Sequence, residues 1–410
     1  MPVIPVGLAA VAASAREAGH DVVAVDLLNV EDVETTLRQN LLAVQPNVIG
    51  ISIRNIDDQK MDSPNFLLEK VKPIISVCRR FSEAPIVLGG AGYSIFPQSV
   101  LSYLGADMGI QGEAEIAFPT LLTSMEQKGD ASQTPGLFLP AKGLQQKRTF
   151  VRELDRLPLP DTAVWAETAK QSPDIWMPVQ TRRGCPMNCS YCSTPGIEGR
   201  LIRRNSVDRV IDLIRRYREK GFHRFFFTDN TFNIPLSYGK ALSYALAEHL
   251  SDISWRCILY PDYVDEELVR EMARAGCKEV SLGFESGSGM ILRNLNKRFD
   301  VETIRQTSEL LRDYGITRMG FLLLGGPGET KASVEESISF VDALDLEALK
   351  ITAGIRIYPG TALAKRAVLE GIVSPEDDLL HPKFYLAPQI DSWLRETVKV
   401  QIKGRSNWKM

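Results

Sequence analysis

Cys185, Cys189 and Cys192 stand in the segment Arg-Arg-Gly-Cys-Pro-Met-Asn-Cys-Ser-Tyr-Cys, residues 182 to 192. Thiolates at this C-x3-C-x2-C spacing can each hold one iron of a four-iron, four-sulfur cluster, and a closed electron-transfer cluster takes a fourth thiolate that this segment lacks. One iron is then left open to bind and reduce a substrate. The same spacing could mark one buried face of a helix, but Gly184 and Pro186 disfavour a helix interior. A structural zinc site needs a fourth ligand, and the next His or Cys downstream, His223, is far outside knuckle spacing. Six cysteines in 410 residues do not make a disulfide framework. Cys78, Cys257 and Cys277 lie singly in apolar patterns and read as buried structural thiols.

The elements that must position such a site follow from the pattern along the chain. Residues 1 to about 128 alternate helix and short apolar strand. Strands are expected at Asp21–Leu28, Asn47–Ile53, Pro85–Gly89 and Ala106–Ile110, with helices at Phe66–Arg80 and Glu115–Glu126. That alternation implies an α/β fold with a doubly wound parallel sheet, which binds ligands at the carboxyl ends of its strands. Residues 129 to 175 are rich in Gly, Pro, Gln and charge and read as a crossing linker with one short hairpin. A second alternating run occupies residues 176 to 364. Its strands are expected at Trp176–Arg182, Arg224–Thr228, Ser254–Ile258, Glu279–Phe284, Arg318–Leu324 and Ala348–Ile357, with helices such as Val207–Lys220 and Glu266–Ala275 between them. Strand–helix units in that number suggest a partial (β/α)6 barrel whose site lies at the carboxyl ends of the strands. The cysteine loop follows the first of these strands. Residues 365 to 410 are weakly patterned and read as a short C-terminal cap.

Composition excludes several classes. The apolar fraction of 44% and charged fraction of 24% are those of a globular protein. A net charge of −3 gives no electrostatic case for nucleic acid or an anionic membrane. No apolar run is long enough to span a bilayer. The N-terminus is mildly apolar but has no basic n-region, so it reads as a helix start rather than a signal peptide. Unpaired cysteines fit a reducing cytoplasm.

The cysteine loop and the residues after it, from about 176 to 362, resemble the radical S-adenosylmethionine superfamily. The resemblance implies that Cys185, Cys189 and Cys192 hold a [4Fe-4S] cluster and that the amino and carboxylate groups of S-adenosylmethionine bind the open iron. Tyr191 matches the aromatic position that touches the adenine. Asp229 and Asn230 end the second barrel strand, where the family binds the methionine amino group; a strand-end turn is the plainer reading of that pair. Glu285 and Ser286, in Gly-Phe-Glu-Ser-Gly-Ser, match positions beside the ribose and the methionine carboxylate. Gly325 and Gly326, in Gly-Gly-Pro-Gly-Glu, and Tyr358-Pro359-Gly360-Thr361 match backbone flanking the adenine. Arg203 and Arg318 are candidate carboxylate partners, since a guanidinium pairs bidentately with a carboxylate; structural roles for both stay open. The family cleaves S-adenosylmethionine to methionine and a carbon radical that takes hydrogen from an unreactive C–H bond. That chemistry needs an external electron donor of the ferredoxin or flavodoxin kind.

The first half resembles the Rossmann-like cobalamin-binding domain that precedes the radical domain in one branch of the superfamily. Pro5-Val6-Gly7-Leu8, Ala18-Gly19-His20 and Asp26 match its opening helix and second strand. Gly89, Gly90 and Gly92 match one loop, and Gly112 and Glu113 the next, where glycine lets backbone approach a bulky ligand. A dinucleotide site is the rival, but no G-x-G-x-x-G follows the first strand. Related cobalamin proteins carry a D-x-H-x-x-G motif whose histidine binds cobalt. None of the four histidines here stands after Ser52, where the chain reads Ile-Arg-Asn-Ile-Asp-Asp-Gln. Ser52, Arg54, Asn55 or a water would then face the lower side of cobalamin. The family also opens with a strand ahead of Pro5, for which few residues remain, so that strand is expected to be missing or truncated.

Together the two halves resemble cobalamin-dependent radical methyltransferases. The resemblance implies transfer of a methyl group from S-adenosylmethionine, by way of methylcobalamin, to an unactivated carbon, with a protein residue among the substrates open to it. Tyr260 and Asp262 follow the third barrel strand and are candidates for positioning the substrate or handling a proton. An oxidative cyclase or ring-contraction enzyme is the rival activity, and a cobalamin- or redox-sensing module the rival without catalysis.

Overall fold

The computed structural model describes residues 4–27, 30–165 and 175–410. A first helix, Val6–Glu17, is followed by a second, Val33–Val44, whose start is set by the Asp32 carboxylate accepting the Thr35 N–H at 3.0 Å. The strands of the first sheet are β1 (Ile49–Ser52), β2 (Ile86–Gly89), β3 (Met108–Ile110), β4 (Leu137–Leu139) and β5 (Gly143–Leu144), in that spatial order. The β1, β2 and β3 ladders are parallel, with Ser52 level with Gly89. Helices Val71–Phe81, Pro97–Leu104 and Ala114–Glu126 make the crossovers. The hairpin expected in the linker forms as β4 and β5 and adds antiparallel to β3, so the first sheet extends into that segment.

The strand expected at Asp21–Leu28 is not one: residues 21–27 carry no strand pairing, and Leu28 lies outside the described residues. A strand exists only beside a hydrogen-bonded neighbour, and β1 is the last strand on that side of the sheet. Some of the segment's apolar side chains pack without a ladder, Val22 and Ala24 partly buried against the core of the second domain and Leu27 against the cluster that the first domain shares, while Val23 is exposed. No strand precedes the first helix among the described residues.

The second sheet contains β6 (Met177–Val179), β9 (Arg224–Phe227), β10 (Ser254–Leu259), β11 (Cys277–Glu285), β12 (Thr317–Leu324) and β13 (Ala348–Ala353) as parallel neighbours. Two short ribbons flank it: β7 (Arg182–Arg183) with β8 (Arg203–Arg204), and β14 (Ile355–Arg356) with β15 (Phe384–Tyr385). Side chains alternate buried and part-exposed along β10 and β12, as a sheet lining an open barrel requires. Ser206, Asp265, Asp300 and Thr330 each cap the helix that follows with a side-chain oxygen, fixing where the strand-end loops stop. The C-terminal residues do more than cap. Helix Asp391–Ile402 leads to β16 (Trp408–Lys409), which pairs in parallel with β13 and adds a seventh strand.

The two halves share their cores. Ile53, Ile56, Leu88 and Tyr93 of the first half lie in one buried cluster with Ile291, Leu295, Ile355, Ile357 and Leu363 of the second. Ala9 and Ala12 of the first helix pack into the barrel's own core.

Candidate active site at the facing strand ends

The cysteine loop runs between β7 and β8, so the ribbon closes its two ends together. Gly184 has φ 90°, and a Cβ there would stand 2.2 Å from the Leu201 carbonyl oxygen, so only glycine fits. Cys185 N–H donates to Gly199 O at 3.1 Å and Ser190 N–H to Leu295 O at 3.0 Å, which ties the loop to the barrel. Leu363 N–H in turn donates to Ser190 O at 2.8 Å. Burial pushes the Cys185 thiol up to about 11, with the neighbouring Cys192 and Cys189 adding to the rise. Among the described residues no three His, Cys, Asp or Glu groups crowd round one point as the ligands of a single ion do. Cluster thiolates each take a different iron and stand farther apart, and these three remain near enough to feel one another's charge. A donor set of three thiols fits an iron–sulfur cluster.

Beside the cysteines, β11 ends on Glu285, which has φ 71° where its ladder with β12 loses register. A non-glycine residue there is strained by about 1 kcal/mol or more, a cost commonly borne at functional sites. The Glu285 carboxylate accepts the Tyr191 hydroxyl at 2.9 Å and the Lys297 ammonium at 3.3 Å. Lys297 Nζ also donates to Gly283 O at 3.0 Å. Burial raises the Tyr191 pKa well above its ordinary value, and Glu285 adds to the rise. Burial pulls the Lys297 pKa down, but the negative charges of the Glu285 carboxylate and, once ionised, the Cys189 thiolate outweigh it and raise it overall. Tyr260 is buried at the same place, its hydroxyl accepting the Arg298 N–H at 3.0 Å and its ring edge-on to Phe299 at 4.9 Å. Lys297 was invisible to sequence reasoning, since nothing in Asn-Leu-Asn-Lys-Arg-Phe separates it from a surface lysine.

Other expected residues face different partners. Asp229 is buried and accepts the N–H groups of Thr181 at 2.7 Å and Arg182 at 3.1 Å, joining the ends of β6 and β9. Asn230 Nδ2 donates at 2.8 Å to Glu198, whose same oxygen accepts the Gly184 N–H at 3.0 Å. Glu198, also unforeseen, thus clamps the base of the cysteine loop, and burial raises its pKa. Ser286 is buried against Ser337, 3.0 Å between hydroxyl oxygens. The N–H groups of Gly325 and Gly326 both donate to Glu329, at 2.6 and 3.0 Å, and burial pushes that carboxyl up to about 7. The Asp262 carboxylate caps its own loop through the Tyr263 N–H at 2.9 Å, and its backbone carbonyl is held by Asn233. Arg318 sits at the opposite end of the barrel, near the start of β12. Its guanidinium donates to Glu347, Ser308 Oγ, Leu344 O and Asp345 O, which occupies every N–H and leaves none for a cofactor carboxylate.

At the carboxyl ends of β1 to β3, Ser52, Arg54 and Asn55 are exposed, and their side chains make no hydrogen bond or ion pair with the described residues. Arg54 is exposed, and desolvation by the protein around it pulls its pKa down. Polar side chains left free at the carboxyl ends of parallel strands, where such sheets bind ligands, fit a polar cofactor such as cobalamin. The glycines beside it have another duty. A Cβ on Gly90, at φ 99°, would lie 2.5 Å from Ile53 O, and one on Gly92 3.0 Å from Arg54 C, so they admit the neighbouring loop rather than a ligand. Gly89 meets only Ile110 O, at 4.0 Å, and Gly112 N–H donates to Ser94 Oγ at 2.9 Å.

Glu113 does not stand free at this edge. It accepts the Val151 N–H at 2.7 Å and pairs with Arg203 at 2.6 Å, while Glu115 pairs with Arg183. The acidic pair after β3 is therefore locked onto the arginines of the ribbon that frames the cysteines. Arg203, which also donates to Val151 O and Glu198 O, is used up in this joint.

Comparison with known proteins agrees with this geometry. Residues 179–341 match the Radical SAM superfamily and residues 1–122 the B12 binding domain. An uncharacterized methyltransferase of Pyrococcus horikoshii is 24% identical over 407 residues, covering 96% of this chain and 86% of its own. The tryptophan 2-C-methyltransferase of Streptomyces laurentii is 23% identical over 430 residues, covering 89% and 72%. The solved structure of the radical S-adenosylmethionine methyltransferase TsrM from Kitasatospora setae superposes with a TM-score of 0.81 at 22% identity, over 90% of this chain and 74% of that one, and shares the fold. The two matched domains, a B12-binding one and a radical S-adenosylmethionine one that carries the three-cysteine loop, place this chain in the family of cobalamin-dependent radical S-adenosylmethionine enzymes, methyltransferase-like, with a [4Fe-4S] cluster, S-adenosylmethionine and cobalamin as its cofactors.

Proposed function

We propose that the chain methylates an unactivated carbon. When bound, the cluster and S-adenosylmethionine supply a carbon radical, and cobalamin supplies a methyl group. The observation that carries the reading is the direct joining of the two domains, through Glu113 and Glu115 on Arg203 and Arg183, in one chain with the residues for both cofactors. The protein's part is to bind, orient and exclude water. Lys297 presents a buried positive charge for the methionine carboxylate, and Glu285 is placed to accept from the ribose hydroxyls. Tyr191, half-buried beside them with its hydroxyl on Glu285, closes the adenine side. Tyr260 keeps its hydroxyl proton available within the same enclosure, because its oxygen already accepts the Arg298 N–H. Asp262 belongs to the loop that covers this end of the barrel. Reduction of the cluster draws on an external one-electron donor of the ferredoxin or flavodoxin class. No helix among the described residues is long and apolar enough to cross a membrane, and the reading places the reaction in a reducing, cytoplasmic setting. The acceptor carbon lies on a molecule of its own, with a residue of a partner protein as the candidate.

The test is anaerobic incubation of cluster-reconstituted protein with cobalamin, S-adenosylmethionine labelled in its methyl group, and cell extract. Label is expected in a product as a new C–methyl bond. A product that is cyclised or contracted without added methyl would overturn the reading in favour of the rival activity.

A further inference from the structure

The loop after β1, residues 53 to 66, is held at both ends, and the far end is held by the other domain. At its start Ile53 O accepts the Gly92 N–H at 3.0 Å, and the Gly90 and Gly92 contacts leave no slack there. Four residues on, Asp57 is buried. Its Oδ1 accepts the Gln59 N–H at 2.9 Å, and its Oδ2 accepts Arg356 Nε at 2.8 Å. Arg356, on β14, is buried as well. Its remaining N–H groups donate to Ile357 O at 2.7 Å, Leu379 O at 2.8 Å and Leu380 O at 3.2 Å. Met61 of the same loop lies against Gly354, where a Cβ would be 2.4 Å from its sulfur, and Asp62 pairs with Arg395 at 2.9 Å. The segment that receives the loop, Ile355 to Leu363, also braces the cysteine loop through Leu363 N–H on Ser190 O.

We propose that Asp57 and Arg356 are a positioning pair that locks the loop carrying Arg54 and Asn55 to the segment that braces the cysteines, so that the residues that would hold cobalamin and those that would hold the cluster keep one fixed spacing. The inference rests on the reading that cobalamin binds at the carboxyl ends of β1 to β3. A buried ion pair whose guanidinium also donates to three backbone carbonyls suits this task, because it resists both sliding and rotation. The loop then depends on it as metal ligands depend on their hydrogen-bonded supports.

The test uses the full chain, reconstituted with cluster and loaded with hydroxocobalamin, as Asp57→Asn and as Asp57→Asn with Arg356→Gln. The second variant leaves no unpaired buried charge and so guards against simple collapse. Both are expected to keep their iron content and a cooperative melt. Both are expected to retain cobalamin about tenfold less tightly, and after one-electron reduction of the bound cofactor with titanium(III) citrate the cob(II)alamin electron paramagnetic resonance spectrum should change, because the loosened loop no longer holds its side chains in place. Wild-type cobalamin retention and an unchanged cobalt spectrum in both variants would overturn the proposal. So would loss of iron together with cobalamin in both, which would make the pair a general fold element. No methyl acceptor enters the measurement, so a failed search for methylated product leaves its result standing.

Discussion

Glu329 shows how a single buried carboxyl in this site becomes a pH-dependent stability element. Burial holds it at about 7 against an ordinary 4.5, even though two backbone N–H groups favour its anion. Its second oxygen is buried without a partner among the described residues. The folded chain therefore binds this proton more tightly than the unfolded chain. The group's contribution is complete below the unfolded value of 4.5 and is lost as pH rises through about 7. Glu329→Gln stays neutral and keeps an oxygen for the two N–H groups. Its stability relative to the parent is expected to rise by on the order of 3 kcal/mol between about pH 5 and 8, read from urea midpoints; a constant difference across that range would remove burial as the cause. Legibility at this scale was uneven. The three cysteines could be read from spacing alone, because cluster ligation demands it. Glu285 and Tyr191 came through resemblance, and the structure brings them within one hydrogen bond. Lys297, Glu198 and Arg356 left no trace, since a charged residue in sequence looks the same whether it ends in water or in a buried pair. Arg318 failed for the same reason in reverse: its partners at the base of the barrel are long-range in sequence.

Among the elements, the ribbon of β7 and β8 does the most with the fewest residues. It closes the cysteine loop, and Glu198 seals its base against Gly184 and Asn230. Removing that carboxylate frees a buried N–H and loosens the loop without touching any thiol. Glu198→Ala is therefore expected to fold but to hold markedly less iron after reconstitution, while Glu198→Gln, which keeps the hydrogen-bonding shape, recovers most of it. Equal iron content in the parent and Glu198→Ala would show that the cysteines organise the loop unaided. Periodicity located the barrel strands because each is apolar on the face it buries. It overreached at residues 21–27, which carry the apolar pattern of a strand but have no neighbour to bond to. It missed β16, whose two residues carry no period to detect.

For the whole molecule, the sequence reads as two domains and a linker, but the cores do not divide that way. Ile53 and Tyr93 share a cluster with Ile355 and Leu363, and the ion pairs of Glu113, Glu115 and Asp57 cross the same boundary. Contacts of this kind couple unfolding. A single calorimetric transition is expected, with calorimetric and van't Hoff enthalpies equal; two resolved transitions would show that the halves are independent. The same coupling gives the molecule its proposed purpose, since a methyl donor and a radical source must face one substrate at fixed separation. The most direct measurement of that claim is the count of nucleoside products formed per methylated product under anaerobic turnover. The account predicts one S-adenosylhomocysteine and one 5′-deoxyadenosine for each methyl transferred. Formation of 5′-deoxyadenosine with product but without S-adenosylhomocysteine would contradict it.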